Sequence, residues 1–195
     1  MCGQFAVLGS VKAIKDYYEF LKNSGFILDD DYYVFDHLSA ASIPNENIKP
    51  MDSIPIITSS NERIKILSAR WGLVPFWAKD DIIAHKTINA RIETINEKPS
   101  YKYAYIYRRC LIPVTGFYEK DKNKNLYYFD VQKSNSSKNT QFKSFAGLYE
   151  IWGKDKLITF TIVTKQAEGD VKHVHNRMPV LLNEDEAANW LLKIA

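Results

Sequence analysis

The residue with the widest chemical reach is Cys2, which follows Met1 and precedes Gly3. Removal of Met1 would leave an α-amine and a thiol on one residue. Their ordinary pKa values are about 7.7–8.0 and 8.5, so a fraction of each is reactive near neutral pH. The electrophile that uses both is an aldehyde: the amine condenses to a Schiff base, and the sulfur closes on the imine carbon to give a five-membered thiazolidine. Gly3 lets the backbone turn closely around such a ring. The competing description is a frayed terminus with an incidental cysteine.

Other strings could serve that chemistry. Asn89-Ala90-Arg91-Ile92-Glu93-Thr94 sets an amide and a guanidinium two residues apart, either facing one substrate from a turn or strand or opening a helix. Gly116-Phe117-Tyr118-Glu119 follows the apolar run Cys110 to Val114, so Glu119 is expected near a strand end among aromatics. Such surroundings raise a carboxyl pKa and suit a proton shuttle; the alternative is a surface glutamate beside a turn. In His173-Val174-His175-Asn176-Arg177-Met178-Pro179 the alternation of a strand would put both imidazoles on one face, one as acid/base and one structural. A zinc site with Cys2 or Cys110 lacks any accompanying Cys-x-x-Cys or His-Glu-x-x-His run, and Cys110 reads as a buried small hydrophobe. Trp71-Gly72-Leu73-Val74-Pro75-Phe76-Trp77 suits either a core corner or a platform on which unpaired bases stack. Against 20 lysines stand only six arginines, and Arg70, Arg91, Arg108, Arg109 and Arg177 all lie in or beside these strings. Those positions are candidates for bidentate contacts to phosphate or carboxylate.

The elements that must position these groups read as follows. Val11 to Asn23 has apolar residues at helical spacing and stops at Gly25. Asp29 to Asn61, broken by Pro44, Pro50 and Pro55, reads as strands and loops, and a strand from Ile64 runs into Trp71. Pro99 to Arg109 suits a helix with Pro99 in its first turn, although its many tyrosines are equally content in strands. Leu126 to Val131, Phe142 to Tyr149 and Leu157 to Thr164 read as strands, and Asn183 with Glu186 opens a closing helix. Without regular crossover helices, the expectation is an α+β fold: one domain over residues 1–195 with a mainly antiparallel, barrel-like β core and peripheral helices.

Composition agrees with one soluble domain. The chain has 195 residues, 46% hydrophobic and 25% charged, which allows one real core but not two. Lys12, Lys15 and Asp16 interrupt the first apolar stretch, so neither a signal peptide nor a membrane span is expected, and the chain is placed in the cytoplasm, at the nucleoid in a prokaryote. Two cysteines in a reducing compartment make a disulfide framework improbable. A net charge of +3 permits a polyanionic partner without requiring one.

In order and spacing, Met-Cys-Gly at the start, Trp71 to Trp77, Asn89 to Thr94, Arg108 to Glu119, Phe145 to Glu150 and His175 to Pro179 resemble the SRAP family, named for SOS-response-associated peptidases and including abasic-site processing proteins. Asn47 and Pro50, ahead of Ile54-Pro55-Ile56, resemble that family's loop before its first long strand. The resemblance implies a monomer that crosslinks through Cys2 to the aldehyde of abasic sites in single-stranded DNA, with no metal or organic cofactor. It implies that Asn89 orients the N-terminus, Glu119 assists proton transfer and His175 handles the sugar-ring oxygen. DNA contacts are implied for Gly3, Pro50, Arg91, Arg108, Arg177 and Met178, with Trp71, Gly72, Pro75 and Trp77 at the bases beside the lesion. Lyase-like or autopeptidase activity is a further expectation from the family's name. Two residues depart from the pattern: Gln4 stands where arginine is usual, and Lys120 where tryptophan is usual. Two other functions compete. An N-terminal-nucleophile hydrolase or amidotransferase would use the Cys2 amine as base for its own thiol, and a noncovalent single-strand binder would use the aromatic and basic residues alone.

Overall fold

A computed structural model describes residues 2–28, 43–131 and 142–192. The chain enters as β1 (Gln4–Val7) and turns into α1 (Val11–Tyr17), which starts where the Ser10 hydroxyl accepts a hydrogen bond from the Ala13 amide at 3.2 Å. The helix expected over Val11 to Asn23 is present but divided. After Tyr17 it tightens into a 3-10 helix over Tyr18–Ser24, and Gly25 ends it at a left-handed φ of 86°. Ile14, Tyr18 and Leu21 are all buried, so the apolar spacing survives the change of pitch.

Next come β2 (Asn45–Ile48), β3 (Ser53–Ser60) and β4 (Arg63–Trp71), the strands expected around the prolines; residues 29–42 of that stretch lie outside the described residues. Asn61 and Glu62 close the β3–β4 hairpin with positive φ of 50° and 62°, the turn geometry whose twist matches paired strands. The order continues through β5 (Asn89–Arg91), α2 (Lys102–Tyr107), β6 (Arg109–Val114), β7 (Gly116–Lys120), β8 (Leu126–Asp130), β9 (Lys143–Trp152), β10 (Leu157–Gln166), β11 (Arg177–Pro179), β12 (Leu181–Leu182) and α3 (Glu184–Leu192). α2 is shorter at both ends than the Pro99 to Arg109 pattern. Its lead-in is held in turns, such as Tyr101 N–H to Lys98 C=O at 2.9 Å, while Arg109 is claimed by β6, where it pairs with Leu148. α3 opens on the expected reciprocal cap: the Asn183 amide donates to Glu186 Oε2 and the Glu186 amide to Asn183 Oδ1, both at 2.9 Å.

The larger sheet is a ring. β4 pairs with β3, β3 with β6, β6 with β9 and β9 with β10, all antiparallel. β10 then returns to β4 in parallel, Thr159 opposite Arg70 and Phe160 opposite Trp71, which closes a barrel-like circuit. β5 in parallel and β11 antiparallel both add to the C-terminal half of β10. A smaller antiparallel sheet, ordered β2-β1-β7-β8, lies against this ring. Aromatic packing joins the two: Phe5 of β1 meets Trp71 edge-on at 5.1 Å and Phe145 at 5.9 Å, while Phe117 of β7 meets Phe145 at 5.9 Å. α3 seals the ring from outside, its Trp190 indole N–H shared between the carbonyls of Cys110 and Gly147 at 3.2 Å each. Among the described residues no helix is long and apolar enough to cross a membrane.

Candidate active site around Cys2

The ladder between β1 and β7 sets the site. Gln4 lies opposite Tyr118 and Phe5 opposite Phe117, so the antiparallel run brings the residues before β1 alongside the end of β7, where Glu119 and Lys120 stand. Gly3, Gln4, Tyr118, Glu119, Lys120, Asp121, Leu126 and His175 line a cavity of about 460 Å³ there. Asn89 arrives from a third direction: β5 sits in parallel on β10 with Asn89 opposite Ile162, and the Asn89 side-chain amide donates to the Cys2 carbonyl at 2.8 Å. The Tyr101 hydroxyl holds the Asn89 backbone carbonyl at 3.1 Å. Among the described residues Asn89 Oδ1, which is buried, has no hydrogen-bond partner.

Electrostatics in this pocket follow from burial. Cys2 is wholly buried, and that desolvation, reinforced by the nearby Glu119 carboxylate, pushes its thiol up to about 12 although Sγ can donate to the Gln4 carbonyl at 3.6 Å. The thiol is therefore neutral at ordinary pH. Glu119, at 3% exposure, has its pKa raised by desolvation, with the positive amino terminus and His175 pulling it back. His175 Nδ1 lies 3.0 Å from both the amide and the carbonyl of Arg177, accepting from the one or donating to the other according to tautomer, and either contact holds the ring in place. Cys2, Asn89, Glu119 and His175, four residues from four separate strings, thus meet at one place.

Comparison with known proteins gives the family. The model of the SOS response associated peptidase (SRAP) family matches residues 1–194. The chain belongs to the SRAP family. It is 33% identical to the abasic site processing protein YoqW of Bacillus subtilis, over 98% of this chain and 80% of that protein. It is also 33% identical to the abasic site processing protein HMCES of Gallus gallus, over 76% of this chain and 54% of that one. A crystal structure of a protein from Bacteroides thetaiotaomicron superposes with a TM-score of 0.74 at 28% identity, covering 97% of this chain and 81% of that chain.

The remaining residues of this SRAP chain divide by exposure. Trp71 is fully buried, stacked on Phe160 at 6.3 Å and donating from its indole to the Ile88 carbonyl at 2.8 Å. It is therefore a core residue and not a base platform, which corrects the expectation for that tryptophan; Gly72, Pro75 and Met178 are likewise buried. Trp77 is 49% exposed and Phe76 53%, so the second half of that string is the part that faces solvent. Arg91 is exposed and Pro50 partly so. Arg177 forms a bidentate pair with Glu93 at 2.6 and 2.9 Å and also donates to the Thr164 carbonyl at 2.8 Å. Arg108 is paired with the buried Glu150 and lines a different cavity with Tyr107 and Tyr149, away from Cys2.

The histidines also part company. His173 ends a 3-10 helix over Gly169–His173 and is exposed, whereas only Arg177–Pro179 forms a strand, so the two rings do not share a strand face. Hydrogen bonding inside the 3-10 turn, not side-chain alternation, decides the backbone there. Reading the string alone missed Tyr101 and Thr164, which brace Asn89 and Arg177. Neither carries a local signal, because each acts through tertiary contact.

Proposed function

We propose that this chain processes abasic sites by forming a covalent bond from Cys2 to the ring-opened deoxyribose aldehyde in single-stranded DNA. Loss of Met1 converts the Cys2 nitrogen from an amide to a primary amine. That amine attacks the aldehyde carbon, the carbinolamine loses one water to give an imine, and Sγ then adds to the imine carbon while the thiol proton passes to nitrogen. The product is a thiazolidine, and one water is released overall. A thiol with a pKa near 12 is a poor first nucleophile, whereas an α-amine at about 7.7–8.0 is available, so the amine leads and sulfur follows.

The other residues have roles that follow from their positions. Asn89 holds the Cys2 carbonyl and offers its Oδ1 to the new amine or a sugar hydroxyl. Glu119, with its raised pKa, relays protons during loss of water. In the tautomer whose Nδ1 accepts from the Arg177 amide, His175 presents an Nε2 proton to the sugar-ring oxygen and favours opening to the aldehyde. The half-exposed rings of Phe76 and Trp77 suit unpaired bases and favour a single strand over a duplex. The relatives named for abasic site processing support the substrate class.

The observation that carries this reading is the 2.8 Å hydrogen bond from Asn89 to the Cys2 carbonyl, which holds Cys2 next to Gly3 at the wall of the cavity that Glu119 and His175 line. The test is a denaturing gel of protein mixed with an abasic oligonucleotide. The wild type should give a band that survives heat and detergent, and Cys2→Ala should not. A persistent adduct from Cys2→Ala would transfer the bond to another amine, and no adduct from a wild type shown by mass to begin at Cys2 would end the proposal.

A further inference from the structure

Outside the cavity, three aromatic side chains form a continuous exposed ladder. Phe76 and Tyr103 have ring centroids 4.9 Å apart, and Tyr103 and Tyr107 are again 4.9 Å apart. Tyr103 and Tyr107 are four residues apart on α2 and so share one helix face. Their exposures of 53%, 37% and 65% for Phe76, Tyr103 and Tyr107 leave much of each side chain open to solvent, Tyr107 most. The Arg108 guanidinium lies over the Tyr103 ring at 5.3 Å, anchoring the middle rung by cation–π attraction. Contiguous exposed apolar area of this kind costs solubility and marks a surface that meets something.

Charge and continuity say what that is. From Lys98 to Tyr107 the chain carries two cations and no carboxylate, and both, Lys98 and Lys102, are exposed beside the ladder, as is Lys79 next to Trp77, whereas Arg108 is held by Glu150 and Arg109 is buried. A second copy of the chain would set these cations against themselves, whereas a phosphate backbone neutralises them. The ladder also begins where the site ends. Tyr101, immediately before α2, bonds to the Asn89 carbonyl at 3.1 Å, and the Trp77 indole donates to the Pro99 carbonyl at 3.4 Å. We propose that Phe76, Tyr103 and Tyr107 form a stacking platform for unpaired bases of the strand beyond the lesion, extending the nucleic-acid path from the Cys2 cavity along α2. The inference rests on the reading of single-stranded DNA as substrate.

The test measures reversible binding of undamaged oligothymidylate by fluorescence anisotropy, with the wild type, Tyr107→Ala and Tyr107→Phe. For a strand of roughly ten nucleotides, within the usual span of single-strand binders, Tyr107→Ala should weaken affinity roughly tenfold, as expected for one lost stacked base. Tyr107→Phe should bind as the wild type does, because the ring carries the contact. A strand too short to reach from the cavity to α2 should bind both variants alike. Equal affinity of Tyr107→Ala and wild type for the longer strand overturns the platform, as does equal weakening on both strands. A wild type that sediments as a dimer and a Tyr107→Ala that does not would also overturn it, assigning the ladder to self-association. Crosslinking of a short abasic strand by Tyr107→Ala at the wild-type rate keeps the two proposals separate: absence of that adduct in the wild type would strike the thiazolidine chemistry and leave the anisotropy result standing.

Discussion

Glu119 is the residue where chemistry and folding pull in opposite directions. Its carboxyl is nearly buried and its pKa is raised by desolvation, so the folded chain holds that proton more tightly than the unfolded chain does. A pKa raised on folding contributes stability below the ordinary value of 4.5, and that contribution is lost as pH rises through the folded value. Above that folded value the ionised group therefore weakens the fold. Glu119→Gln should melt at a higher temperature than the wild type at pH 7, with the difference shrinking as pH falls toward 4.5 in calorimetry. The same variant should slow adduct formation by roughly 10²-fold if the carboxylate relays protons as proposed, read from quenched time points. A variant that loses both stability and rate would show the carboxylate to be a structural anchor instead.

At the scale of elements, α3 gives the cleanest prediction. Asn183 and Glu186 cap each other at 2.9 Å on an exposed surface, so Asn183→Ala should cost about 1 kcal/mol and lower the melting temperature by about 2–4 °C without changing the adduct yield. This cap was legible in the sequence because it is local, as were the strands after Cys110; β9 and β10 bury most of their apolar residues, whereas β8 leaves Leu126, Tyr127 and Tyr128 exposed. The ring was not legible: β10 meets β4 in parallel across roughly ninety positions of chain, and no periodicity within either strand records that partner. β5 and β11 are three residues each, too short for an alternation to show, yet they carry Asn89 and Arg177. In the tryptophan string, composition alone could not separate Trp71 from Trp77. Tertiary packing gives one to the core between Phe5 and Phe160 and leaves the other at the surface. For the site, the residue types were readable because Cys2, Asn89, Glu119 and His175 belong to family strings, but their meeting depends on the β1–β7 register and the parallel seat of β5.

For the molecule as a whole, a formal charge of +3 conceals how the cations are engaged. Arg177 faces Glu93, whose pKa is lowered chiefly by that hydrogen-bonded pair, so a phosphate must compete with a carboxylate for the same guanidinium. Glu93→Gln should therefore tighten binding of undamaged single strands and steepen the dependence of log affinity on log salt by about 0.7, one phosphate contact. An unchanged slope in a salt titration would assign Arg177 to bracing Thr164 and His175 alone. The smaller sheet has one more consequence, because β1 is an inner strand hydrogen-bonded on both sides, to β2 and to β7, and its Phe5 is wedged against Trp71 and Phe145. A tug applied at residue 2 is not taken up by a loose tail. Two ladders and an aromatic wedge share the load, so whatever is tethered there is moored to the keel of the molecule, and a motor hauling on it must first break the hull.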